Sequence, residues 1–187
     1  MTAELHVLTT GYADERVAST VTLVREGYTV AIVDPGMVAD RSAILHPLAA
    51  LGVHPDEVTD VVFSHHHPDH TLNAALFLRA RVHDIMATYE GDVWTDRDPQ
   101  DAGLGPSIRL LATPGHTDED VSTLVETGLG LVVLTHLWWS ADGPADDPFA
   151  RDRDLLRRSR EAVLALSPGL IVPGHGAPFT PGPDLVV

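Results

Sequence analysis

In four places along this chain an apolar, strand-like run is followed closely by histidine. Val61-Val62-Phe63 leads into Ser64-His65-His66-His67-Pro68-Asp69-His70, which holds four imidazoles and a carboxylate in one short turn. His116 lies in Thr113-Pro114-Gly115-His116-Thr117, His136 in Leu134-Thr135-His136, and His175 in Pro173-Gly174-His175-Gly176. Strand ends on one edge of a sheet are neighbours in space, and loops held there by a rigid scaffold are where sites usually lie. Imidazole and carboxylate are ligands of a borderline metal such as zinc. A solvated loop has no reason to gather so many groups that titrate near neutrality. Gly115 and Gly174 are read as letting the backbone turn sharply, so that each histidine points back to the edge.

Patterning predicts strands over 5–10, 20–25, 28–33, 61–64, 81–83, 108–112, 121–126, 130–135 and 170–172. Asp40 is placed to cap a helix that runs to Leu51 and stops at Gly52, and 71–78 looks helical. The best helix is 152–166, with Leu155, Leu156, Val163 and Leu166 on one side. The stretches 89–106 and 138–148 read as loops, and the tail past Pro178 as irregular. No low-complexity linker divides the 187 residues, so one domain spanning 1–187 is expected, with sheets covered by helices.

Composition excludes several chemistries. With no cysteine, there is no disulfide and no thiolate ligand or nucleophile, so nitrogen and oxygen must hold any metal. All 12 basic residues are arginine, which excludes lysine Schiff-base chemistry. A net charge of −15 repels phosphate backbones and anionic membranes, so nucleic acid is not expected as a partner. No apolar run approaches the roughly 18–20 residues of a membrane span. Met1-Thr2-Ala3-Glu4 lacks the basic start and apolar core of a secretory signal, so a cytoplasmic location is expected.

His-x-His-x-Asp-His, followed by Pro-Gly-His-Thr and a late Pro-Gly-His-Gly, resembles the metallo-β-lactamase-fold superfamily. The resemblance runs from about Leu5 to about Phe179 and is strongest toward small single-domain members related to glyoxalase-II-type hydrolases. It implies an α/β fold, an αββα sandwich of two mixed sheets flanked by helices, with metals at one edge. It implies His65, His67 and His116 on a first metal, and Asp69, His70 and His175 on a second. The implied cofactor is zinc, one or two ions, with iron or manganese as alternatives. His136 departs from the resemblance, which implies a bridging aspartate at that strand end. His136 then ligates one metal (the preferred reading), leaves only one metal tightly held, or acts as a base or substrate donor.

Other residues carry weaker signals. Asp34, between a strand and Pro-Gly, is a turn former or an acceptor that orients a ligand histidine. His66 is not expected to be a ligand; His6, His46, His54 and His83 carry no spacing signal. Asp118, Glu119 and Asp120 read most simply as a solvated acidic loop. Trp94, Trp138 and Trp139 lie in expected loops, as an apolar wall for a small-molecule substrate or as caps on the core.

The resemblance implies hydrolysis of a small ester-like bond (thioester, lactone or ester) through a metal-bound hydroxide, with Asp69 orienting water or protonating the leaving group. Alternatives are a phosphodiesterase or ribonuclease of the same fold, a mononuclear iron enzyme that oxidises sulfur species, and a binding module with a decayed site. Oligomeric state is not legible.

Overall fold

The computed structural model describes residues 2–97 and 103–187. Its strands are β1 (Glu4–Thr9), β2 (Tyr12–Ala13), β3 (Val17–Ala18), β4 (Val21–Glu26), β5 (Thr29–Val33), β6 (Asp60–Val62) and β7 (Arg81–His83). They continue with β8 (Ala87–Glu90), β9 (Val93–Asp96), β10 (Gly103–Gly105), β11 (Ile108–Ala112), β12 (Val121–Thr127), β13 (Gly130–Thr135) and β14 (Leu170–Pro173). The helices are α1 (Ser42–Ala50), α2 (Pro68–Thr71) and α3 (Arg153–Ala165).

Seven strands form one sheet, ordered β1-β4-β5-β6-β7-β8-β9, and five form a second, ordered β10-β11-β12-β13-β14. Pairs β5–β6, β6–β7 and β13–β14 are parallel, and β11 and β13 both run antiparallel to β12. Consequently β5, β6 and β7 end on one edge of the first sheet, and β11, β13 and β14 on one edge of the second.

Strand alternation builds the layers. Val24, Ala31, Val33 and Val62 of the first sheet meet Ile108, Leu110, Val121, Val125, Leu134 and Val172 of the second. The opposite face of the first sheet, through Leu23, Ile32 and Val61, packs on Ile44 and Leu48 of α1. The opposite face of the second, through Leu124, Val133 and Ile171, packs on Leu156 and Val163 of α3. Each such side chain fully buried contributes about 1.5–3 kcal/mol. The result is the expected αββα sandwich.

Helix ends follow local chemistry. Asp152 Oδ1 accepts from Leu155 N at 2.9 Å and caps α3. The N-cap of α1 is Arg41, not the expected Asp40, and it makes no side-chain cap bond; Asp40 Oδ1 accepts from Ser42 N at 2.9 Å one residue earlier, and Gly52 adopts φ +72° just past α1.

Several expectations are corrected. Of the four apolar residues assigned to one side of α3, Leu156 and Val163 are buried, Leu155 is half-buried and Leu166 is exposed. The 71–78 helix is replaced by the single turn α2 and a 3₁₀ turn at Ala74–Leu76. The expected loop over 89–106 contains strand instead: β8 and β9 form a hairpin about Gly91, at φ +61°, and β10 follows. Every residue of β9 is exposed, which erased the alternation that would have marked it. Positions 98–102 of that expected loop lie outside the described residues.

Candidate metal centre

The histidines follow the C-terminal ends of β6, β11, β13 and β14, and the two sheets bring those ends together. His65 and His136 ring centroids are 4.6 Å apart, His65 and His116 4.9 Å, His70 and His175 5.1 Å. His136 stands centrally, 4.1 Å from His116, 4.7 Å from His70 and 5.0 Å from His175. Two groups of buried donors lie within 4.8 Å of one another: His65, His116 and His136, and His70, His136 and His175. His67 joins the first through Nδ1, 3.0 Å from His65 Nε2 and 3.1 Å from His116 Nε2. Asp69 Oδ2 joins the second, 3.4 Å from His70 Nε2 and 3.5 Å from His175 Nε2.

Hydrogen bonds on the outer side of the cluster fix which nitrogen faces inward. His70 Nδ1–H donates to Asp34 Oδ2 at 2.9 Å, His116 Nδ1–H to Asp147 Oδ2 at 2.8 Å, and His175 Nδ1–H to the Ala18 carbonyl at 2.8 Å. Those acceptors turn Nε2 inward on each of the three rings, toward the middle of the cluster. Asp34 therefore orients a histidine, and it also accepts from Ser64 N at 2.7 Å. Its φ of +52° is a strained conformation for a non-glycine residue, held where the carboxylate serves both partners.

The glycines act through space, not torsion. The chain bends at Gly115 and turns at Gly174, yet neither has positive φ. A Cβ on Gly174 would overlap the His136 imidazole, and one on Gly115 would come within 2.7 Å of Leu156. A Cβ on Gly36 would overlap the Asp69 carbonyl.

Burial, reinforced by neighbouring imidazoles, pushes His65 and His136 far below the ordinary histidine range. His67 and His175 are lowered by the same causes. Burial also works against charge on His70, but Asp34 overrides it and lifts that ring to about 9. Burial would raise Asp69; the nearby His70 and His175 rings and a backbone hydrogen bond together outweigh it and bring it to about 2.

The donor set fits a divalent cation. His70 Nε2 and His136 Nδ1 are buried without a hydrogen-bond partner. His136 Nε2 and His175 Nε2 approach to 3.1 Å, a separation at which two lone pairs repel unless a proton or cation lies between them. Six imidazoles and one carboxylate are donors suited to zinc and its first-row neighbours. His65, His67, His116, Asp69, His70, His175 and His136 are the residues placed to hold it.

The tryptophans separate. Trp139 faces the cluster, its ring 5.9 Å from His116 and His175 and 6.0 Å from Phe149, and its indole N–H donates to Asp147 Oδ2 at 2.8 Å. Trp138 is fully buried against α3 and donates to the Val186 carbonyl at 2.8 Å, so it belongs to the core and not to a substrate wall. Trp94 stands exposed on β9, edge-on to Tyr89 at 4.7 Å and bonded to Asp96. None of its ring or hydrogen-bond contacts among the described residues is with the cluster. Trp94 stands apart from the cluster because the β8–β9 hairpin lies at the edge of the first sheet.

His66 points away and meets Asp84 at 3.0 Å. His83 is a satisfied core histidine, 2.7 Å from Asp60. Asp120, expected in a solvated loop, is buried; burial raises its carboxyl to about 6 despite hydrogen bonds from Thr117. Two residues were missed from sequence: Asp147, which orients His116, and Phe149, 5.2 Å from the His116 ring. Asp147 sits in Ala145-Asp146-Asp147-Pro148, where nothing distinguishes it from the other aspartates of a polar loop. A cavity of about 490 Å³ opens over His67 and His116, bounded by Asp118, Glu119, Phe149 and Arg151.

Residues 14–94 match the model of the metallo-beta-lactamase superfamily. Over 194 aligned residues the chain is 34% identical to metallo-beta-lactamase domain-containing protein 1 of Xenopus laevis, covering 94% of this chain and 80% of that protein. The chain belongs to the metallo-beta-lactamase superfamily. It spans about 60% of the length of the mammalian proteins of the same name. Among solved structures it is similar to a Thermotoga maritima protein provisionally assigned as a metallo-beta-lactamase, with TM-score 0.75, 22% identity and coverage of 97% and 100% of the two chains. It is also similar to a quorum-quenching N-acyl homoserine lactone hydrolase, with TM-score 0.67, 20% identity and coverage of 93% and 91%. At these identities the structural likenesses establish the metallo-beta-lactamase fold. No helix among the described residues is long and apolar enough to cross a membrane.

Proposed function

We propose that this chain is a zinc-dependent hydrolase, with one or two ions, acting on a small ester-like bond: a carboxylic ester, a lactone or a thioester. The observation that carries the reading is the convergence of six inward-facing imidazoles and Asp69 from separate strand ends. When bound there, divalent cations polarise a carbonyl and lower the pKa of water toward neutrality. Asp34, Asp147 and the Ala18 carbonyl hold three rings in the orientation that presents Nε2 inward. Asp69, anionic at neutral pH, is an acceptor able to orient a water molecule at the cluster. Trp139 and Phe149, tilted 31° to each other, form an apolar wall for an acyl chain and exclude water from one side. Asp118 and Glu119 at the cavity rim oppose a polyanionic substrate such as RNA. The named lactone hydrolase of the same fold places lactones in the test panel.

The experiment is turnover of thioesters, lactones, esters and phosphodiesters by the zinc-loaded chain. Hydrolysis of an ester-like class, abolished by chelation and by His116→Ala, is expected. Turnover of phosphodiesters alone, or ester turnover that survives chelation, would overturn the proposal.

A further inference from the structure

Arg160 lies in α3 with 1% of its surface exposed. Its Nε–H donates to the Leu137 carbonyl at 2.9 Å, Nη1 to the Ala145 carbonyl at 3.2 Å and Nη2 to the Pro144 carbonyl at 2.8 Å. Its guanidinium carbon stands 5.6 Å from the centroid of Trp138. All its hydrogen-bond acceptors among the described residues are thus peptide carbonyls. Burying a guanidinium without a bonded carboxylate is costly. Its fork grips both ends of the segment 137–145 and clamps it to α3.

That segment reaches three of the clustered histidines. His136 immediately precedes it. The Trp139 carbonyl accepts from His175 N at 2.8 Å, and the Trp138 carbonyl from Gly174 N at 3.2 Å. The Trp139 indole shares Asp147 Oδ2 with His116 Nδ1, each at 2.8 Å. The neighbouring Ser159 Oγ–H donates to the Pro114 carbonyl at 2.6 Å, tying the His116 loop to the same helix.

We propose that Arg160 is a positioning residue of the metal centre, acting through the 137–147 segment to hold His136, His116 and His175 in mutual register. Its consequence for activity rests on the hydrolase reading; its mechanical effect does not. Lysine keeps the charge but cannot reproduce a planar fork that reaches three carbonyls.

The first test is hydrogen exchange followed by NMR on metal-free wild type and Arg160→Lys. The Trp139 indole N–H and His175 amide are expected to exchange about tenfold faster or more in the variant, while the α1 amides stay within about twofold. Uniform acceleration, or none, would show a merely global or absent role and overturn the proposal. The second test is zinc titration against a chromophoric chelator. Affinity is expected to weaken by about 10–100-fold in Arg160→Lys, as for residues that orient ligands; equal affinity overturns the proposal.

Should Arg160→Lys fail to fold, wild type suffices. Linkage requires zinc to slow exchange of the Arg160 Nε–H if Arg160 favours the zinc-binding arrangement. An unchanged rate on zinc loading overturns the proposal. Wild type that binds zinc but hydrolyses nothing in the panel defeats the hydrolase reading and leaves the Arg160 result standing. Wild type that binds no zinc defeats both.

Discussion

Removal of the Asp147 carboxylate should damage the metal centre from outside the ring of candidate ligands. Asp147 is 2% exposed, and Oδ2 accepts both His116 Nδ1–H and Trp139 Nε1–H at 2.8 Å, while Oδ1 accepts Phe149 N at 2.9 Å. Burial opposes its charge, but the hydrogen bonds from His116, Phe149 N and Trp139, with the His116 ring's charge interaction, together outweigh it and hold the carboxyl below its usual range. Asp147→Ala leaves two side-chain donors without an acceptor; at about 1–3 kcal/mol each, the loss is about 2–6 kcal/mol. Against a domain stability of about 5–15 kcal/mol, that is a large share. Asp147→Asn keeps the shape and one acceptor oxygen but loses the charge, and charge-assisted hydrogen bonds are roughly twice as strong as neutral ones. The asparagine variant should therefore fold and bind zinc about 10–100-fold more weakly. Urea unfolding in chelator measures the first effect, and zinc competition the second. Asp147→Asn with wild-type zinc affinity would refute the claim that this carboxylate sets the His116 ring.

Three further outcomes are expected. Gly174→Ala should displace the His136 ring, which the added methyl would overlap, and lower zinc affinity or stoichiometry; an unshifted His136 imidazole signal by NMR would contradict this. Burial raises the Asp60 carboxyl, but His83, Thr59 and Arg81 outweigh it and hold its pKa below 3.8. The stability it contributes is present above the unfolded value and is lost as pH falls through the folded one, so melting temperatures between about pH 5 and 2 should fall more steeply for wild type than for Asp60→Asn. Leu48→Ala, in the α1 layer, should cost about 2–5 kcal/mol by urea unfolding and leave zinc stoichiometry unchanged; altered stoichiometry would mean the α1 layer is not independent of the centre.

Much of the fold was legible because strand periodicity survives where one face is buried. The strand over 108–112 coincides with β11, where buried Ile108 and Leu110 flank exposed Arg109; the strand over 130–135 coincides with β13, legible as a continuous apolar run because both its faces are covered. The β8–β9 hairpin was not legible, since β9 buries no residue and so carries no periodic signature. At the centre, histidines after apolar strands are a local signal and were readable. Asp147, Phe149 and Arg160 act by reaching across the fold, and no spacing within the sequence records that reach.

The sequence by itself determined the donor chemistry: nitrogen and oxygen only, with no thiol and no lysine amine, at the ends of apolar strands. It also determined the layered α/β class, because residue periodicity is a one-dimensional property of the chain. Tertiary structure alone decided which tryptophan faces the histidines, which carboxylates hold their rings, and why Gly174 must lack a side chain. Those outcomes depend on distances between segments far apart in sequence, such as Ala18 and His175, and such distances exist only once the two sheets have packed.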